Sequence, residues 1–121
     1  MQFLCLIHLD EQRMAALPPA EVDDLNRRHL ALNDDLRASR HLIAAEALAP
    51  SAAMRRVRPR PGQPPIVDGP FTEAKEVVAG FYLIDARDLD EAIAIAARFP
   101  GAAHGSVDVW PTRQLVVDAT G

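Results

Sequence analysis

Cysteine is nearly absent from this chain, with Cys5 the single example in 121 residues. One thiol has no partner for an internal disulfide, which suits a reducing compartment, and in an apolar run a free cysteine behaves as a small buried hydrophobe. Basic excess is missing too. Lys and Arg number 13 against 17 Asp and Glu, and the net charge of −4 repels a phosphate backbone, so nucleic acid is not expected as a partner. The opening MQFLCLIHLD has neither a basic n-region nor a small-residue cleavage site. Its apolar run is far shorter than the roughly 20 residues that span a bilayer, so the expectation is a cytoplasmic protein without membrane contact. Spacings such as H-x-x-x-H or C-x-x-C do not occur, nor does a phosphate-cradling glycine loop, so no cofactor or metal is expected.

What is present is ordinary globular material, 49% apolar and 25% charged, in a length that suits one domain over residues 1–121. QFLCLIHL, residues 2–9, has the composition of a strand buried on both faces. After Pro18 and Pro19 a helix is predicted from Ala20 to about Leu48, a stretch free of Gly and Pro. In it Val22, Leu25, Leu32, Leu36 and Ile43 form an apolar stripe, and His29 falls on that same stripe. Pro50 stops the helix. A strand is predicted over Ala52 to Val57, then a hairpin loop over RPRPGQPP, a brief strand in PIVDGPF and a central strand in VVAGFYLIDA. Asp88 and Glu91 resemble a capping box for a second helix with Leu89, Ala92, Ile93 and Ala96 on one face and Pro100 and Gly101 as its stop. SVDVWP is the last strand, and the tail RQLVVDATG pairs weakly or frays.

That order predicts an α+β fold of the ferredoxin-like, split βαβ kind, with both helices on one face of a mainly antiparallel sheet. Two helices cover one sheet face, yet FLCLIHL and VVAGFYLI are apolar on both. The uncovered face calls for a second copy of the chain, giving a homodimer.

Chemistry concentrates at few positions. His29 is an imidazole on an inward stripe, either a satisfied core histidine or a general base whose pKa burial lowers and a carboxylate raises. His8, His41 and His104 read as structural or solvated. Asp68, in Asp68-Gly69-Pro70-Phe71, is good turn chemistry by itself. Joined to His29 it can fix the ring's tautomer or balance its charge, as acid–base catalysis requires. Arg55, Arg56, Arg58 and Arg60 form either a solvated hairpin edge or a grip on an anionic ligand. Glu73, Lys75 and Glu76 can ring a pocket mouth or lie on the surface.

DGPFTEAKEVVAGFYLIDARDLDEAIAIAARFP, with GSVDVWP downstream and MQFLCLIHLD at the start, resembles the DGPF-motif branch of the YCII-related family over nearly the whole chain. The resemblance implies a dimeric α/β barrel with His29 and Asp68 at the positions of that branch's histidine and motif acid. It also implies an association with transcription sigma factors in some members and, in related proteins, removal of HCl from a chlorinated aromatic. Two positions depart from the branch: Trp110 stands where an arginine usually precedes proline, and Arg40 lies where glycine is usual. The leading expectation is a cofactor-independent enzyme doing elimination or isomerisation on a small organic molecule, with His29 and Asp68 catalytic and Phe71, Arg56, Trp110 and Tyr82 around the substrate. The alternatives are a non-catalytic small-molecule binder or regulatory accessory, and an inert dimerisation module.

Overall fold

The computed structural model describes residues 1–69 and 75–117. Strand β1 (Gln2–Leu9) is central, and helix α1 (Glu11–Ala15) follows it. Helix α2 (Pro19–Ala38) then crosses the sheet to β2 (Leu42–Ala47). A separate ribbon, β3 (Arg56–Arg60) with β4 (Gln63–Asp68), precedes β5 (Val77–Asp85), helix α3 (Leu89–Ala96) and β6 (Gly105–Pro111). The main sheet runs β2-β5-β1-β6, and every pairing in it is antiparallel. This is the expected ferredoxin-like arrangement, two split βαβ units that interleave their strands.

The register of β1 decides the two faces. Cys5 lies opposite Tyr82 on β5 and Val109 on β6, and Phe3 lies opposite Ile84. Period-two alternation places all of these on the helix side. There Phe3, Cys5, Ile7, Tyr82 and Ile84 meet Leu32 and Leu36 of α2 and Ala92, Ile95 and Ala96 of α3, with Phe99 stacked on the Tyr82 ring at 4.2 Å. Burial pushes the Cys5 thiol up to about 11, so it is packing material rather than a nucleophile.

Helix α2 is shorter than its sequence predicts. It stops at Ala38, and Leu42–Ala47, read as its last turns, is the edge strand β2. The reason is a Schellman turn: His41 N–H reaches Leu36 O at 2.9 Å, Arg40 N–H reaches Arg37 O at 3.1 Å, and Arg40 takes φ 66°. An arginine therefore occupies a left-handed position normally given to glycine, and no Gly or Pro marks the stop. His41 then holds the turn in place, with Nδ1 2.7 Å from Ser39 Oγ and Nε2 3.2 Å from the Glu91 carboxylate on α3.

Two other expectations change. Ser51–Ala53 forms a 3-10 turn instead of starting a strand, and the ribbon runs through the proline-rich stretch with only the Pro61-Gly62 turn between strands. Prolines are tolerated there because each ribbon strand has an open side that needs no N–H. On α3, Asp88 caps Glu91 N–H at 2.8 Å as predicted, but Ala92, Ile95 and Ala96 face inward while Leu89 and Ile93 are exposed. The tail's one anchor among the described residues is Thr112, whose N–H donates to Gln2 O at 3.0 Å.

A left-handed residue with a Cβ costs about 1 kcal/mol relative to glycine. Arg40→Gly should therefore stabilise the fold by about 1 kcal/mol, read as a higher urea midpoint at unchanged slope; a lower midpoint would mean the Arg40 side chain contributes more than its backbone costs.

Candidate ligand cavity

Helix α2 carries two inward stripes. Leu25, Leu32 and Leu36 seat it on the sheet, and one step around the helix Asn26, His29, Leu30 and Asn33 follow the i, i+3, i+4, i+7 spacing of a second face. That second face meets the sheet at Tyr82, through His29 and Asn33. Opposite the rest of it β2 and β5 bring mostly small residues, Ala45, Ala47, Ala79 and Gly80, and a cavity of about 580 Å³ remains between them. Gly80 is required for this approach of the strands, since a Cβ there would lie 3.0 Å from Glu46 O. Ile7 and Leu9 of β1, Met14 of α1 and Leu25 complete apolar walls.

Polar groups enter this apolar space as one connected chain. Gly101 N–H, in the 3-10 turn after α3, donates to His29 Nε2 at 3.0 Å. His29 Nδ1 lies 3.0 Å from Tyr82 Oη, and the Tyr82 hydroxyl is hydrogen-bonded to Asn33 Oδ1. The backbone amide can only donate, so Nε2 is the bare nitrogen and the proton of a neutral ring must sit on Nδ1. His29 then donates to Tyr82, and Tyr82, having one proton, donates to Asn33. A single amide thus sets the direction of three successive bonds. Its steric footing is tight, because a Cβ on residue 101 would come within 3.1 Å of Nε2.

The electrostatics agree. His29 has its pKa lowered, first by burial and then by the neighbouring Arg28 charge, and a second ring proton would have to displace Gly101 N–H. Burial pushes the Tyr82 phenol up to about 12, so it remains protonated and remains a donor. The chain ends on the Asn33 amide, whose Nδ2 has no protein partner among the described residues. Asn26 adds a second amide at the cavity mouth, two helical turns away.

Of the residues singled out in the sequence, the structure brings His29 and Tyr82 together. Asp68 lies on the ribbon, with its carboxylate 3.0 Å from Arg58 Nε, and does not line the cavity. Arg56 pairs across the ribbon with Asp68 in register. Trp110 lies opposite Leu4 in register and is 57% exposed, on the sheet face away from His29. Phe71 and Glu73 fall outside the described residues. Asn33 and Gly101 were not singled out, though an asparagine amid a long helix, four residues after an inward histidine, is a detectable anomaly of propensity. Among the described residues no three His, Cys, Asp or Glu side chains gather to hold a metal ion, and no helix is long and apolar enough to cross a membrane.

A family model described as the YCII-related domain matches residues 1–115. The chain is also similar to "Uncharacterized protein R00369" of Rhizobium meliloti (strain 1021), at 33% identity over 113 residues, covering 92% of this chain and 91% of that protein.

Two consequences of the chain's direction can be measured. Long-range proton–nitrogen NMR of the native protein near neutral pH should show His29 in the Nδ1–H tautomer; the Nε2–H form would contradict the Gly101 bond. Since the folded His29 pKa lies below the ordinary value of 6.5, the unfolded chain binds the extra proton first, and stability is lost as pH falls from 6.5 toward the folded value. Urea midpoints of wild type should therefore drop more than those of His29→Gln between about pH 7.5 and 5.5, above the range where Glu11 and Glu91 protonate.

Proposed function

The chain belongs to the YCII-related family, and from its geometry we propose that it is a small-molecule-binding protein that works as a homodimer. The ligand lies in the cavity beside α2, and a second copy covers the open sheet face. The observation that carries the ligand site is the polar chain Gly101–His29–Tyr82–Asn33 standing in apolar walls around about 580 Å³ of space. That volume and that mixture of apolar lining with a few oriented polar groups are those of sites for small organic ligands.

The dimer reading rests on the other side of the sheet. Across it the register aligns Trp110, Leu4, Leu83 and Ala44 in one row, and Leu6 beside Phe81 in the next, flanked by Asp108 and Glu46. Among the described residues no helix covers this face. An apolar centre with charged edges on a sheet is the pattern of an isologous interface, where each residue meets its own symmetry mate or a neighbour's.

Acid–base catalysis is the second reading, and the specific observation in its favour is that His29 is held neutral, in the base form, on the cavity wall. It demands that a ligand draw Gly101 N–H away from Nε2, and that Asp68 exchange Arg58 for His29. A binding protein demands neither, and a regulatory accessory role needs only that ligand occupancy be sensed by a partner.

Leu6→Glu places a charge at the centre of the open face and leaves the helix side untouched. Light scattering should give a mass of twice 13.2 kDa for wild type and 13.2 kDa for the variant; a wild type that stays monomeric at tens of micromolar concentration would remove the dimer.

A further inference from the structure

The direction of the hydrogen-bond chain has a chemical outcome at its far end. Asn33 Oδ1 already accepts from the Tyr82 hydroxyl, so the part of the side chain left wholly unpartnered for a ligand is its NH₂, which can only donate. Rotating the amide would leave the Tyr82 proton without an acceptor and bring two donors together, and the Tyr82 proton cannot turn back because His29 Nδ1 already carries one. The chain therefore holds Asn33 as a fixed donor.

Charge narrows the ligand further. Among the described residues no Lys or Arg lines the cavity. Glu46, its acidic lining residue, pairs in register with Phe81, whose side chain belongs to the opposite sheet face. His29 is kept neutral by burial and by the Gly101 bond. A carboxylate or phosphate entering here would lose its hydration and meet no counter-charge, and an ammonium would meet a donor where it needs an acceptor.

We propose that the cavity is a site for uncharged, largely apolar carbonyl compounds, whose carbonyl oxygen accepts a hydrogen bond from Asn33 Nδ2 while the apolar body rests against Leu30, Leu25 and Ile7. The proposal rests on the cavity being the ligand site and adds the chemical class of what it takes. His29 and Tyr82 are positioning residues in this scheme, acting on the ligand through Asn33. The class includes ketones, esters, lactones and amides, and it excludes free acids and amines of the same shape.

The test uses four probes of nearly one shape, acetophenone, ethylbenzene, benzoate and benzylamine, titrated into the full-length protein at about pH 7.5 while the amide spectrum is recorded. Acetophenone should move the Asn33 side-chain amide and the Gly101 backbone amide and bind about fivefold tighter than ethylbenzene, the worth of one net hydrogen bond. Benzoate and benzylamine should bind more weakly than either. In Asn33→Asp, which can still accept from Tyr82 but offers the ligand no donor, the advantage of acetophenone over ethylbenzene should vanish. Asn33→Leu, checked for folding by its backbone spectrum, should give the same loss.

If acetophenone and ethylbenzene bind equally to wild type, the cavity stands as a ligand site and the carbonyl class is overturned. If benzoate binds best, the class is overturned in favour of anions. If none of the four shifts any cavity resonance at millimolar concentration, the cavity is not the ligand site, and the proposed function fails with the class it would have taken.

Discussion

The antiparallel pairing of β1 with β5 is the constraint from which the rest of this molecule follows. It sets Cys5 against Tyr82 and Leu4 against Leu83, so one residue in two faces the helices and the other faces outward. A slip of β5 past β1 by a single residue would turn its inward set outward, exposing Ile84 and pointing Phe81 and Leu83 at the helices. It would also carry Tyr82 out of reach of His29. Core, cavity and open face are three results of one register, and this is why the pairing must be specific even though both faces are apolar enough to look interchangeable.

Within that frame the polar interior is economical. Burying a histidine and a tyrosine costs free energy unless their protons find acceptors, and here each donor has one acceptor in a line that begins on a main-chain amide and ends on a side-chain amide. Among the described residues no buried side-chain nitrogen or oxygen is left without a partner. The arrangement resists protonation and rotation together, because either change leaves two donors face to face. Rigidity of this kind suits recognition, in which the protein's polar atoms should already point where the ligand needs them.

Sequence periodicity was enough to find β1, β5, the body of α2 and the placing of His29, since each is a repeat of two or of three and four written into neighbouring residues. Strand β2 escaped because LIAAEA has helical composition and its boundary is marked by Arg40, where a backbone hydrogen-bond pattern and not a residue type ends the helix. The inward face of α3 follows the sequence at Ala92 and Ala96 and departs from it elsewhere: Ile95 is buried with them while Leu89 and Ile93 stay out. At the site, the partner of His29 foreseen in the sequence was Asp68, a charged group in a conspicuous motif. The partners it has in the structure are a backbone N–H 72 residues away and a phenol 53 residues away, and no local pattern encodes either.

The placing of β1 has a consequence for how the chain reaches this structure. Strand β1 is an interior strand of the sheet, and its two neighbours lie far along the chain, beginning at Val77 and Gly105. Its sheet partners among the described residues are therefore made long after QFLCLIHL itself, and its second edge stays open until β6 is available. The sheet closes only once Gly105–Pro111 has left the ribosome, with a sticky segment exposed in the meantime. For the nascent chain the hazard lies at β1, and the remedy arrives with β6.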